Sequence, residues 1–157
     1  MHRIHRIALA AAALLLGCDN SPSTGVEGTY PLTLTYTVDE CAGDQGRSEA
    51  LEVTIERDGN DVTFDLGASG ILTGTFNEEL RTMTVDGTIL VPVPPPGSGT
   101  FPGQMHMVAR VTEGELNALG RITFDGTFPG VSGICERFFE ASGERNDSLS
   151  VFSLTAP

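Results

Sequence analysis

Few residues in this chain are equipped for covalent chemistry. Of its three histidines, His2 and His5 lie among the first five residues, which leaves His106 as the single imidazole in the body of the chain. One imidazole excludes a multi-histidine zinc site. A serine triad built on it would need a nucleophile on a sharp strand-to-helix turn, and no G-x-S-x-G stretch occurs. His106 instead reads as a strand histidine facing solvent or a neighbour. Cys41 and Cys135 lack the C-x-x-C spacing of a redox pair. With 21 acidic residues some close carboxylate pair is inevitable, so a two-carboxylate hydrolase of the glycosidase kind stays open as a reading. Against it stand a modest chain length, no tryptophan and no aromatic cluster on which a sugar could stack. Asp58, Asn60 and Asp61 suggest calcium by type, yet they lack the ligand spacing and terminal glutamate of a dedicated calcium loop and read as a turn. The expectation is a protein that is not an enzyme and carries no metal or cofactor.

The elements that would position these groups are strands. Tyr30, Leu32, Leu34, Tyr36 and Val38 alternate with Thr29, Thr33, Thr35 and Thr37, a period of two that predicts a strand from about residue 28 to 38 with an apolar and a hydroxyl face. Leu51, Val53 and Ile55 repeat the pattern. Asp58-Gly59-Asn60 supplies hairpin chemistry before Val62, Phe64 and Leu66. Further strands are predicted over about 70–76 and 80–91, with Gly87 marking a bend or a close backbone approach. Pro92 to Gly103 is rich in proline, lacks the backbone donors a sheet needs, and reads as a stiff, protruding connection or a proline-rich recognition ligand. Alternation resumes through Met105, Met107, Ala109 and Val111, then Ala118, Gly120, Ile122 and Phe124, then Cys135, Arg137 and Phe139. A last strand is expected over about 148–154.

Eight or nine strands with turn chemistry between neighbours, and no amphipathic helix, predict an all-β antiparallel meander. Such a meander hides its edges by closing into an up-and-down barrel, with a two-sheet β-sandwich as the alternative. Gly28-Thr29-Tyr30 at the head of the first strand, followed by this strand pattern and a cysteine pair, resembles a lipocalin-type barrel, a family that typically has tryptophan where Tyr30 stands.

At the N-terminus, His2, Arg3, His5 and Arg6 precede ten apolar residues, Ile7 to Leu16, in the layout of a secretory signal peptide. A helix needs about 20 such residues to cross a bilayer, so this run does not span one. Leu15-Leu16-Gly17-Cys18 resembles the lipobox of bacterial lipoproteins. The resemblance implies that Cys18 receives a diacylglycerol, that residues 1–17 are removed as a signal peptide, and that the new amino group is also acylated, for example by palmitate. Two or three chains, at about 0.8 kcal/mol per buried methylene, hold a protein on a membrane where one gives only marginal binding. Asp19 resembles the inner-membrane retention signal of enteric bacteria. The expected address is the bacterial cell envelope, on the periplasmic face of either membrane or on the cell surface. Residues 18–27, rich in Ser, Pro, Thr, Gly and acid, read as a flexible linker, followed by one β domain over 28–157.

Two of the nine arginines would leave with the signal and all the acids would stay, so the mature formal charge is 7 − 21 = −14. That balance argues against nucleic acid and anionic headgroups as partners, since both call for a basic face. In an exported protein Cys41 and Cys135 are expected to pair, and closing a loop of about 95 residues contributes at most about 4 to 5 kcal/mol in the chain-entropy model. The functional expectation is a lipid-anchored envelope protein that binds either a small apolar ligand or another envelope protein. For a carrier barrel the inward set is Tyr30, Leu34, Tyr36, Phe64, Met105, Met107, Phe124 and Phe138. The same residues would fill a closed core if no cavity exists.

Overall fold

A computed structural model describes residues 25–41, 45–93, 99–128 and 131–146. Eight strands follow one another: β1 (Gly28–Asp39), β2 (Ser48–Asp58), β3 (Asp61–Asp65), β4 (Ile71–Asn77), β5 (Thr82–Pro92), β6 (Thr100–Thr112), β7 (Glu115–Phe128) and β8 (Val131–Glu144). Each pairs antiparallel with the next, and β8 returns to β1, so the sheet closes in a ring. The barrel expectation holds over the sandwich. β8 makes the closure, and the strand expected over 148–154 lies outside the described residues.

Alternation puts the apolar half of each strand inside, where Tyr30, Val53, Phe64, Leu72, Met83, Val85, Leu116, Phe124 and Phe139 are buried in one core. Gly87 behaves as its position in a strand suggested: a Cβ there would sit 2.7 Å from the Ile71 carbonyl oxygen, so β4 approaches closely only because the side chain is absent. Glu113 and Gly114, both at positive φ, form the two-residue turn between β6 and β7. Asp58 and Asp61 are the last ladder pair of β2 and β3, with Gly59 at positive φ between them.

Three expectations need correcting. First, Val38 does not share the inward face. The β1–β8 register slips between Tyr36 and Val38, leaving one extra residue on β1. Beyond this bulge the phase inverts, so Val38 is 43% exposed while Asp39 and Cys41 turn inward. Secondly, the proline-rich stretch takes part in the sheet at both ends. Pro92 pairs with Thr100, Val91 with Phe101 and Leu90 with Pro102, and the Val93 amide donates to the Gly99 carbonyl at 3.0 Å. Gly99 therefore points its polar groups at β5, and by alternation Pro102 turns its imide nitrogen away, where β6 has no ladder partner before Gln104. Residues 94–98 lie outside the described residues. Thirdly, the linker ends earlier than residue 27: Val26 is buried, and its carbonyl accepts the Tyr30 hydroxyl at 2.9 Å. Arg145 reaches the Gly25 carbonyl at 3.2 Å. Together these residues cap the lower end of the barrel, where β1 begins and β8 ends.

Candidate ligand site in the barrel wall

The wall is uneven in height. β3 and β4 have 5 and 7 residues, against 11 to 14 in their neighbours β2 and β5 and in β6 to β8. Ladder pairing stops at Asp65 opposite Thr54 on one side and, apart from a bridge between Gly70 and Ile89, at Thr73 opposite Asp86 on the other. The upper parts of β2 and β5 therefore rise past a gap. A single 3-10 turn, Gly67–Ser69, bridges it. Behind this notch lies a cavity of about 160 Å³, bounded by Glu49 to Leu51 of β2, Leu66 and Ser69 of the turn and Ile89 to Pro92 of β5. Leu34, Tyr36, Met105 and Ile122 form its inner side.

One end of the cavity is polar. The Tyr36 hydroxyl donates to Glu49 Oε2 at 3.3 Å, and Arg47 pairs with Glu49 Oε1 at 3.1 Å. Burial, reinforced by the Glu49 carboxylate, pushes the Tyr36 phenol up to about 12, with the Arg137 guanidinium pulling the other way. Tyr36 is thus a fixed, neutral donor near pH 7.

Behind Tyr36 sits a buried ion pair. The Arg137 side chain is 2% exposed and that of Asp39 0%, with Nε and Oδ2 at 3.1 Å. The other Asp39 oxygen accepts the Cys41 amide at 2.8 Å. The Arg137 guanidinium lies 5.1 Å from the centre of the Tyr36 ring and 5.7 Å from that of Phe124, within cation–π range of both. Two residues further along the same seam, Cys41 and Cys135 form a disulfide with Cα atoms 5.3 Å apart.

Of the eight residues expected to face a ligand, Leu34, Tyr36 and Met105 line the cavity. Phe64, Met107 and Phe124 are buried in the packed core, and Tyr30 is buried with its hydroxyl tied to Val26 near the lower end. Phe138 is a correction. It lies on the opposite face of β8 from Arg137 and Phe139, half-buried on the outer wall with Val38 and Arg121 as ladder partners. Cys18 lies outside the described residues.

His106 also faces outward, its Nδ1 2.5 Å from Asp86 Oδ1. It does not border the cavity. Reading the sequence missed Glu49 and Asp39. Glu49 was visible in principle, because it shares the phase of Leu51, Val53 and Ile55. Among the described residues that line the cavity it is the one carboxylate, so a hydrolytic acid pair has no second member there. No protein-family model, no curated protein and no solved structure matches this chain.

Proposed function

We propose that this protein is a lipid-anchored, non-catalytic component of the bacterial cell envelope whose barrel holds a small, largely apolar molecule behind the notch between β2 and β5. The observation that carries the binding role is the cavity itself. It is apolar over most of its wall, has a polar end at Glu49 and Tyr36, and opens where two short strands lower the barrel wall. At about 160 Å³ it falls below the roughly 300 to 1,000 Å³ of sites for drug-sized ligands and close to cavities of about 150 Å³ that take benzene. A body of about six carbons matches this volume, whereas a long acyl chain would have to extend out through the notch.

The anchoring role rests on Leu15-Leu16-Gly17-Cys18 and on where the chain meets the barrel. Gly25 lies at the capped lower end, and the notch is at the other. Six residues lie between Cys18 and Gly25, so the tether reaches at most about 25 Å. A domain tethered in this way carries its cavity on the side away from the bilayer. The strongly acidic chain would also be repelled by anionic headgroups, which keeps the domain off the bilayer surface.

Metabolic labelling with an alkyne fatty acid, followed by fractionation, tests the anchor. Wild type should carry label and sediment with membranes, whereas Cys18→Ser should lose label and appear in the soluble periplasm. An unlabelled, soluble wild-type protein would refute the lipoprotein reading. Native mass spectrometry of protein isolated from its own envelope tests the cavity, through a small adduct that an Ile89→Trp filling variant loses.

A further inference from the structure

The polar end of the cavity is built from acceptors. Glu49 presents a carboxylate, whose two oxygens offer about four lone-pair sites. Tyr36 and Arg47 occupy two of them. The Ser69 hydroxyl borders the same space and accepts as readily as it donates. The strongest nearby donor, the Tyr36 phenol, already points at Glu49. Of the two arginines close by, Arg137 faces Asp39 inside the barrel and Arg47 faces Glu49 at the rim. An entering anion would meet the Glu49 charge and two guanidiniums already engaged with carboxylates. A cation would meet a partly buried carboxylate with accepting capacity to spare.

Shape and long-range charge agree with this local arrangement. Leu51, Leu66, Ile89, Met105 and Ile122 leave room for a compact apolar body rather than an extended chain. The chain as a whole, with 21 acidic against nine basic side chains, concentrates cations and depletes anions near its surface. Resting on the ligand-binding reading above, we propose that the notch cavity selects a protonated amine carried on a small apolar body of about six carbons, with the ammonium bound by Glu49 and the body packed between Leu51 and Ile89. Carboxylate-bearing molecules of equal size are refused. The Tyr36 hydroxyl holds the Glu49 carboxylate in place for this contact.

Benzylamine, benzyl alcohol and benzoate form a probe set of nearly equal shape that differs in charge. Each would be titrated into the full-length protein in detergent near pH 7, with binding read by calorimetry against detergent alone. The expected result is that benzylamine binds about tenfold more tightly than benzyl alcohol, as one charge-assisted contact predicts, and that benzoate gives no binding heat. Glu49→Gln should remove that preference, so that benzylamine no longer binds more tightly than benzyl alcohol to the same variant. Because Glu49 is partly exposed, this variant is expected to fold, which far-UV circular dichroism checks. As a second measurement on the wild type alone, raising the salt concentration should weaken benzylamine and spare benzyl alcohol. Equal binding of amine and alcohol, tighter binding of benzoate, or a preference that survives Glu49→Gln would overturn the amine proposal while leaving a ligand cavity in place. Binding of none of the three would overturn the proposal and the ligand-binding reading together.

Discussion

Removing the Asp39 carboxylate should be among the most damaging single changes available to this barrel. With its side chain 2% exposed, the Arg137 guanidinium cannot reach water without displacing β8. Breaking a buried ion pair from one side costs about 3 to 5 kcal/mol, because the remaining charge stays desolvated. Asp39→Ala also leaves the Cys41 amide without its acceptor, whereas Asp39→Asn retains an oxygen for it. The rings of Tyr36 and Phe124 still face the guanidinium and soften the loss by about 1 kcal/mol. The net expectation is a loss of about 4 kcal/mol for Asp39→Ala, with Asp39→Asn milder by about 1 kcal/mol. Asp39→Ala combined with Arg137→Met should recover most of the loss, since an apolar side chain in that place no longer needs a counter-charge. Urea unfolding with the disulfide intact is the assay. With a slope of about 2 kcal/mol per molar, 4 kcal/mol lowers the midpoint by about 2 M. A double variant less stable than Asp39→Ala alone would refute this account, because the damage would then come from lost packing rather than from the loss of the counter-charge.

Three further outcomes follow from the same geometry. The Tyr36 phenol is raised from 10.0 to about 12, so the folded state holds this proton more tightly than the unfolded chain. Its contribution to stability is complete below about pH 10 and is lost as pH rises through about 12, amounting to about 3 kcal/mol. The phenolate absorbance band should show this late titration, and Glu49→Gln should move it to lower pH; an unchanged midpoint would contradict the contact. Reducing the Cys41–Cys135 bridge should lower stability by at most about 4 to 5 kcal/mol, and equal urea midpoints with and without reductant would remove the bridge from the account. Gly87→Ala should cost about 1 to 3 kcal/mol because its new methyl meets the Ile71 carbonyl, and a neutral result would place the β4–β5 approach elsewhere.

The ring of antiparallel strands was legible because nearly every wall strand alternates cleanly and is bounded by turn residues. The bulge in β1 was not, since Tyr36-Thr37-Val38 continues the alternation without a break. One parity clue was available. Cys135 shares a face with Arg137 and Phe139, so a bond to Cys41 requires Cys41 to face inward, although it is an odd number of residues from Tyr36. The phase had to invert between them, and the same inversion carries Asp39 inward to meet Arg137. The prolines misled for a related reason. Pro102 looked incompatible with a ladder because its lost donor was counted without asking which side it faced, and on the unpaired side of β6 the loss has no consequence. The cavity escaped notice because it arises from an inequality between strands. Short β3 and β4 matter only beside the taller β2 and β5, a comparison that requires the register.

The ring also divides the work of folding unequally. Seven of its eight pairings join strands adjacent in sequence, each needing only a short connection to be closed. The eighth, β1 with β8, brings together residues about a hundred positions apart, and most of the loop-closure entropy of the topology falls on that one encounter. The seam where this happens carries the bulge, the Asp39–Arg137 pair and the disulfide, all within a few residues. Pairing of the first and last strands sets Cys41 and Cys135 side by side, so the ring itself presents the two thiols for bonding. Once made, the bond keeps these two parts of the chain within reach of each other even when the strands part, so the most distant contact of the ring is also the one most readily remade.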